Sequence, residues 1–115
     1  MPGSNLFTGT LHLLILHTLH PGPKHGYAIG RYLRDRTEGV LDLEEGVLYP
    51  ALYRLTRRGF IEGIWGETDT GRRARFYSLT GKGRKALTKE RARWQEHVLA
   101  VQAVLEPDLA MEGPA

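Results

Sequence analysis

Three groups of side chains are spaced so that each can act as a unit. Tyr49, Tyr53 and Arg57 recur every four residues, which puts two phenols and a guanidinium along one face of a helix, with Arg54 beside them. Their donors match the acceptors that phosphates and base edges present. Arg72, Arg73 and Arg75 follow Gly71 closely, and exposed arginines at a turn suit bidentate contact with phosphate. Leu87, Trp94, Val98, Val101 and Leu105 fall on one broad apolar stripe. Each group also has a plainer reading. Tyrosines pack between helices with their hydroxyls at the surface, charged turns are commonly solvated, and an apolar stripe can fold back on its own domain. Tyr77 and Leu79 share a strand face and read as core, and Trp65 reads as a packing residue.

Other chemistry finds little support. The chain has no cysteine, which removes disulfides, thiolate metal sites and a cysteine nucleophile. The five histidines are scattered. His17 and His20 lie three apart in an apolar segment with no carboxylate close by in sequence, so no metal site is expected. His97, in the last helix, reads as an exposed histidine rather than a pH-sensitive group. There is no Gly-rich phosphate loop, nucleophile elbow or acid–base pair, so neither an enzyme nor a cofactor is expected.

The elements that must position these groups follow from periodicity and punctuation. Met1 to Asn5 read as a loose start. Thr8 or Thr10 caps a helix running to about Leu19, which Pro21-Gly22-Pro23 stops. A second helix spans roughly Gly26 to Arg36. A third begins near Glu44 or Glu45, runs to Arg58 and ends on Gly59 as a left-handed cap. Pro50 fits inside it if the helix starts near Gly46, where the first N–H groups have no partner anyway. Ile61 to Glu67 and Ala74 to Leu79 read as two strands joined by a charged turn. Thr80 caps a long last helix from about Lys82 to Leu105, and Pro107 ends it. Three helices followed by a two-stranded hairpin predict a mainly α (α+β) winged helix-turn-helix.

Composition agrees with this reading. A chain of 115 residues suits one small domain with an appended element. Its net charge of +3 and pI of about 9.4 make a polyanionic partner plausible. Nine basic residues from Arg54 to Lys85 cluster in the middle of the chain, while Glu106, Asp108 and Glu112 sit in the tail. The most apolar run, Leu11 to Leu19, is too short to cross a bilayer and has no flanks of a secretory signal, so a cytoplasmic protein without a membrane partner is expected.

Several stretches resemble the PadR family of bacterial transcription regulators. They are Leu13 to Leu19, His25-Gly26-Tyr27-Ala28-Ile29, Glu45-Gly46-Val47-Leu48-Tyr49-Pro50-Ala51-Leu52-Tyr53-Arg54-Leu55, Gly59-Phe60-Ile61, and Gly71-Arg72-Arg73-Ala74-Arg75-Phe76-Tyr77-Ser78-Leu79-Thr80. The similarity covers about residues 11 to 87. It implies a winged-helix homodimer that binds palindromic operators in double-stranded DNA and usually represses. It also implies phosphate contacts from Tyr27, from the exposed face around Tyr49, Tyr53 and Arg54, and from Arg72, Arg73 and Arg75 in the wing; Val47, Pro50 and Arg57 on the third helix are expected at the same DNA-binding surface. Glu44 and Glu45 would bring negative charge to that surface, unless they accept from cytosine amino groups or turn away.

The resemblance is to the short type of member, with one C-terminal helix. The expected partition is a DNA-binding domain over 1–79, a dimerisation helix over 80–106 and a disordered tail over 107–115. A helix this long cannot cover its stripe on a small core alone, so Leu87, Trp94, Val98, Val101 and Leu105, with Leu11, are expected at a dimer interface. Two alternatives stay open on the residues. One is a winged helix used as a protein-interaction module. The other is a sensor with a pocket near Trp94 for a small aromatic effector, as the resemblance implies for some short members.

Overall fold

Leu11, Ile15 and Leu19 repeat at helical spacing and bury one side of α1 (Pro2–Thr18) together with the loop that follows it. The structure, a computed structural model, describes residues 2–107, with side chains from residue 9 onward. Ile29 and Leu33 bury one side of α2 (Gly26–Arg36), and Leu48, Ala51, Leu52 and Leu55 do the same for α3 (Glu45–Arg57). These three faces meet in one core, which Ile61, Tyr77, Leu79 and Leu87 close. Leu52 is 0% exposed, and burying such a side chain contributes about 1.5–3 kcal/mol.

The hairpin consists of β2 (Ile61–Glu67) and β3 (Arg73–Leu79), antiparallel, with Ile61 opposite Leu79 and Trp65 opposite Arg75. A two-residue strand, β1 (Lys24–His25), pairs with the other edge of β3, and the sheet order is β1-β3-β2. Periodicity gave no hint of β1, because two residues carry no pattern. His25 also caps α2. Its Nδ1 accepts from the Ala28 N–H at 3.2 Å, and its ring meets Phe76 edge-on at 5.3 Å.

α3 ends as the sequence predicts. Gly59 is at φ +79°, the Gly59 N–H donates to the Thr56 carbonyl and the Phe60 N–H to the Leu55 carbonyl, each at 3.0 Å. The hydroxyl of Thr80 then accepts from the Gly83 N–H at 3.0 Å and donates to the Gly59 carbonyl at 2.6 Å. One side chain thus caps α4 (Gly81–Leu105) and ties its start to the end of α3.

Three expectations need correction. α1 begins at Pro2, so Thr8 and Thr10 lie inside the helix rather than at its cap, and the residues from Pro2 to Asn5 are helical. Proline at the first helical position loses no intrahelical bond. Pro50 is the sixth residue of α3, beyond the first turn. The bond it cannot donate would have gone to Gly46, and both residues lie on the exposed side, where water can serve the carbonyl. Leu11 and Leu87, expected at a dimer interface, are 2% and 7% exposed and belong to the chain's own core. The tail over 108–115 lies outside the described residues.

The molecule measures 65 × 28 × 28 Å. α4 explains the elongation. Its start is anchored through buried Gly83 and Leu87, and its later turns carry exposed apolar side chains. A helix of 25 residues spans about 37 Å, more than the narrow dimensions of the body.

Candidate nucleic-acid interface

α3 separates its faces cleanly. Opposite the buried leucines lie Gly46, Pro50, Tyr53 and Arg57, all exposed. Tyr53 and Arg57 form a pair: the Arg57 guanidinium donates to the Tyr53 hydroxyl at 3.2 Å and lies 5.8 Å from its ring centre. Val47 and Arg54 flank this face on one side and Tyr49 on the other.

Tyr49 and Arg54 are more constrained than their spacing suggested. The Tyr49 ring lies across the first turn of α2, where a Cβ at Gly26 would come within 2.7 Å of it. Burial pushes the Tyr49 phenol above its ordinary pKa, and Glu45 and Tyr77 add to the shift, so it stays a neutral donor at pH 7. Arg54 turns toward α1, where its Nε donates to His12 Nε2 at 3.3 Å. Sequence reasoning gave His12 no role, and only a contact across 42 residues reveals one.

The hairpin tip turns through Gly71 at φ +81°, with the Thr68 N–H donating to the Arg72 carbonyl at 2.8 Å. Arg72, Arg73 and Arg75 are exposed, and among the described residues none of them forms an ion pair. Trp65, read from sequence as a packing residue, is 55% exposed instead. It carries Arg73 4.8 Å from its ring centre and Arg75 at 6.0 Å. The core face of the hairpin ends at Tyr77, one step before Trp65 and Arg75, so the indole stands on the bare part of the strand.

Between the wing and α2 runs an open cleft of about 1090 Å³. Arg72, Arg73 and Arg75 face it from the wing, Tyr27 and Arg31 from α2, and Tyr49 from α3. Tyr27 is 64% exposed at the start of α2. The cleft is open and carries a basic excess, four arginines against Asp35 and Asp69, with phenol and guanidinium donors on both walls. Such a surface suits a phosphate chain better than a small neutral substrate.

On α4, Trp94, Val98, Val101 and Leu105 continue the line begun by Gly83 and Leu87, but beyond the body of the fold. Trp94 is 40% and Leu105 74% exposed, and Trp94 stacks at a tilt on His97 with ring centres 5.9 Å apart. Among the described residues no helix is long and apolar enough to cross a membrane. No group of three metal-ligating side chains occurs among them either.

This arrangement defines a winged helix-turn-helix protein of the DNA-binding kind. Residues 15–89 match the transcriptional regulator PadR-like family, and the chain belongs to it. It is similar to a PadR-like transcription factor from Bacteroides fragilis at 31% identity, with 89% of this chain and 96% of that one covered and a TM-score of 0.74. A transcriptional regulator from Clostridium thermocellum shares 27% identity over 90% of this chain and 97% of its own, with a TM-score of 0.79. A PadR family regulator from Eggerthella lenta shares 29% identity over 90% and 88%, with a TM-score of 0.75. The chain is therefore a DNA-binding transcription regulator and not an enzyme.

Proposed function

We propose that this chain is a homodimeric, cytoplasmic repressor that binds palindromic operators through α3 and the wing. The observation that carries the reading is the basic cleft. Tyr49 at the edge of the exposed face of α3, Tyr27 and Arg31 of α2, and the three wing arginines all line one open surface. In this reading α3 enters the major groove. Tyr53, Arg57, Val47 and Pro50 approach base edges, with Tyr49 and Arg54 at the flanks. Tyr27, Arg72, Arg73 and Arg75 hold phosphates. Glu44 and Glu45 are exposed at the N-terminal end of α3, where a carboxylate can accept from a cytosine amino group.

Residues 1–79 form the DNA-binding unit, 80–106 the helix that pairs two copies, and 107–115 a tail. The bare stripe from Trp94 to Leu105 supports pairing, since a contiguous apolar face on a projecting helix needs a cover. Selection of bound fragments from random DNA by the purified chain tests the whole reading. Inverted repeats with half-sites about 34–36 Å apart are expected. Recovery of unrelated fragments, or of none, would reject it. A reporter gene placed behind the recovered sequence should be silenced by the chain.

Trp94 supports one addition. Its indole is partly exposed beside His97, on the face proposed to pair. Two such rings across a dimer axis suit a flat aromatic effector. Quenching of tryptophan emission by planar aromatics, lost in Trp94→Ala, checks this.

A further inference from the structure

The wing holds an arrangement that neither its charge nor its turn explains. Trp65 and Arg75 are cross-strand partners, and Trp65, Arg73 and Arg75 share one face of the ladder. Arg75 is exposed but does not stand straight off the strand. It lies back over Gly63, where a Cβ would collide with its Nε and come within 3.1 Å of its Cγ and Cζ. The missing side chain at 63 is thus the seat of Arg75. Arg73 has its own ladder partner in Glu67, a carboxylate of opposite charge. The two form no ion pair, and the Arg73 guanidinium sits 4.8 Å from the Trp65 ring centre instead.

We infer that Trp65 is the positioning residue of the wing: its indole, with the notch at Gly63, holds Arg73 and Arg75 as a fixed pair on the cleft side of the hairpin. The inference rests on the reading of the wing as a DNA-contacting element. The physical gain is preorganisation. A free arginine occupies many rotamers and loses most of them when it grips a phosphate. Two guanidinium groups already laid along an aromatic face lose less, so more of each contact appears as affinity. The ring also attracts the cations directly, without neutralising the charge that phosphate requires. An ion pair with Glu67 would neutralise it. A large ring more than half exposed on a hairpin adds little to the core, so its contribution lies in what it holds.

The test is a double-mutant cycle on the full chain, read by binding to a fluorescently labelled random-sequence duplex. Trp65→Leu removes the aromatic face and should weaken binding on the order of tenfold at low salt. Trp65→Phe keeps an aromatic face and should restore most of that loss. Gly63→Ala leaves Trp65 in place but evicts Arg75, and should also weaken binding. In the Arg73→Ala/Arg75→Ala background, Trp65→Leu should cost nothing further.

If Trp65→Leu costs as much without the arginines as with them, the indole touches DNA itself and the positioning role is wrong. If Trp65→Leu is silent while the arginine pair matters, the arginines need no platform. A DNA-free readout separates failure of this inference from failure of the wing reading. The near-ultraviolet circular dichroism assigned to Trp65, taken as the difference from Trp65→Phe, should change when Arg73 and Arg75 become Ala. A change there, with DNA binding untouched by the arginine loss, keeps the platform and rejects only the DNA contact. No change there rejects the platform.

Discussion

Arg54 on α3 donates through Nε to Nε2 of His12 on α1, over 3.3 Å. An acceptor nitrogen carries no proton, so the bond needs neutral histidine. Burial, then the nearby charges of Arg54 and Arg58, hold the His12 pKa down at about 4, against 6.5 for a free histidine. The shift and the bond agree.

This gives a pH prediction. The folded state binds the His12 proton more weakly than the unfolded state does. The stability from neutral His12 is therefore complete above pH 6.5 and is lost as pH falls from 6.5 through about 4. His12→Gln keeps an acceptor for Arg54 and removes the titration. Urea unfolding of both proteins across that range should show the gap between them changing steadily below pH 6.5 and constant above it.

Removal of the wing charges should reveal phosphate contact. Replacing Arg72, Arg73 and Arg75 by Ala should weaken binding to every sequence alike. It should also flatten log affinity against log salt by about one per lost contact. An unchanged slope would take the wing out of the interface.

Specificity should follow the centre of the exposed face of α3 rather than its flank. Arg57→Ala, which also frees the Tyr53 hydroxyl, should cost about 1–3 kcal/mol on the selected operator and much less on random DNA. Arg54→Ala should show the smaller difference between the two, because His12 turns Arg54 toward α1. Competition titrations with both duplexes decide the order.

The pairing of α4 is tested by Val98→Asp with Val101→Asp. Val101 is 38% exposed on one chain and Val98 is half-buried, so neither change disturbs the core. Four unpaired carboxylates in a paired apolar seam should block association. Sedimentation should find a folded monomer that has lost operator binding and kept weak non-specific binding. A wild type already monomeric at micromolar concentration would overturn the dimer.

The joint between α3 and α4 should tolerate no side chain at Gly83. A Cβ there would run into the Phe60 carbonyl. Gly83→Ala should cost about 1–3 kcal/mol, read as a lower urea midpoint with an unchanged slope.

The sequence alone determined the helices, the hairpin, the left-handed cap at Gly59 and the family. These are set by forces that act within a few residues: apolar periodicity, caps, and a turn that only glycine enters easily. It also placed the wing arginines on the surface. The tertiary structure decided what those signals cannot carry. β1 forms only because Lys24 and His25 reach β3, some fifty positions on. Leu11 and Leu87 read as dimer-interface residues until the core closed over them. Trp65 read as a packing residue, yet the body of the fold ends before it does. Arg54 looked free until α1 brought His12 beside it. Periodicity states which side of an element is apolar. Only the packed chain decides how far the body that covers that side extends.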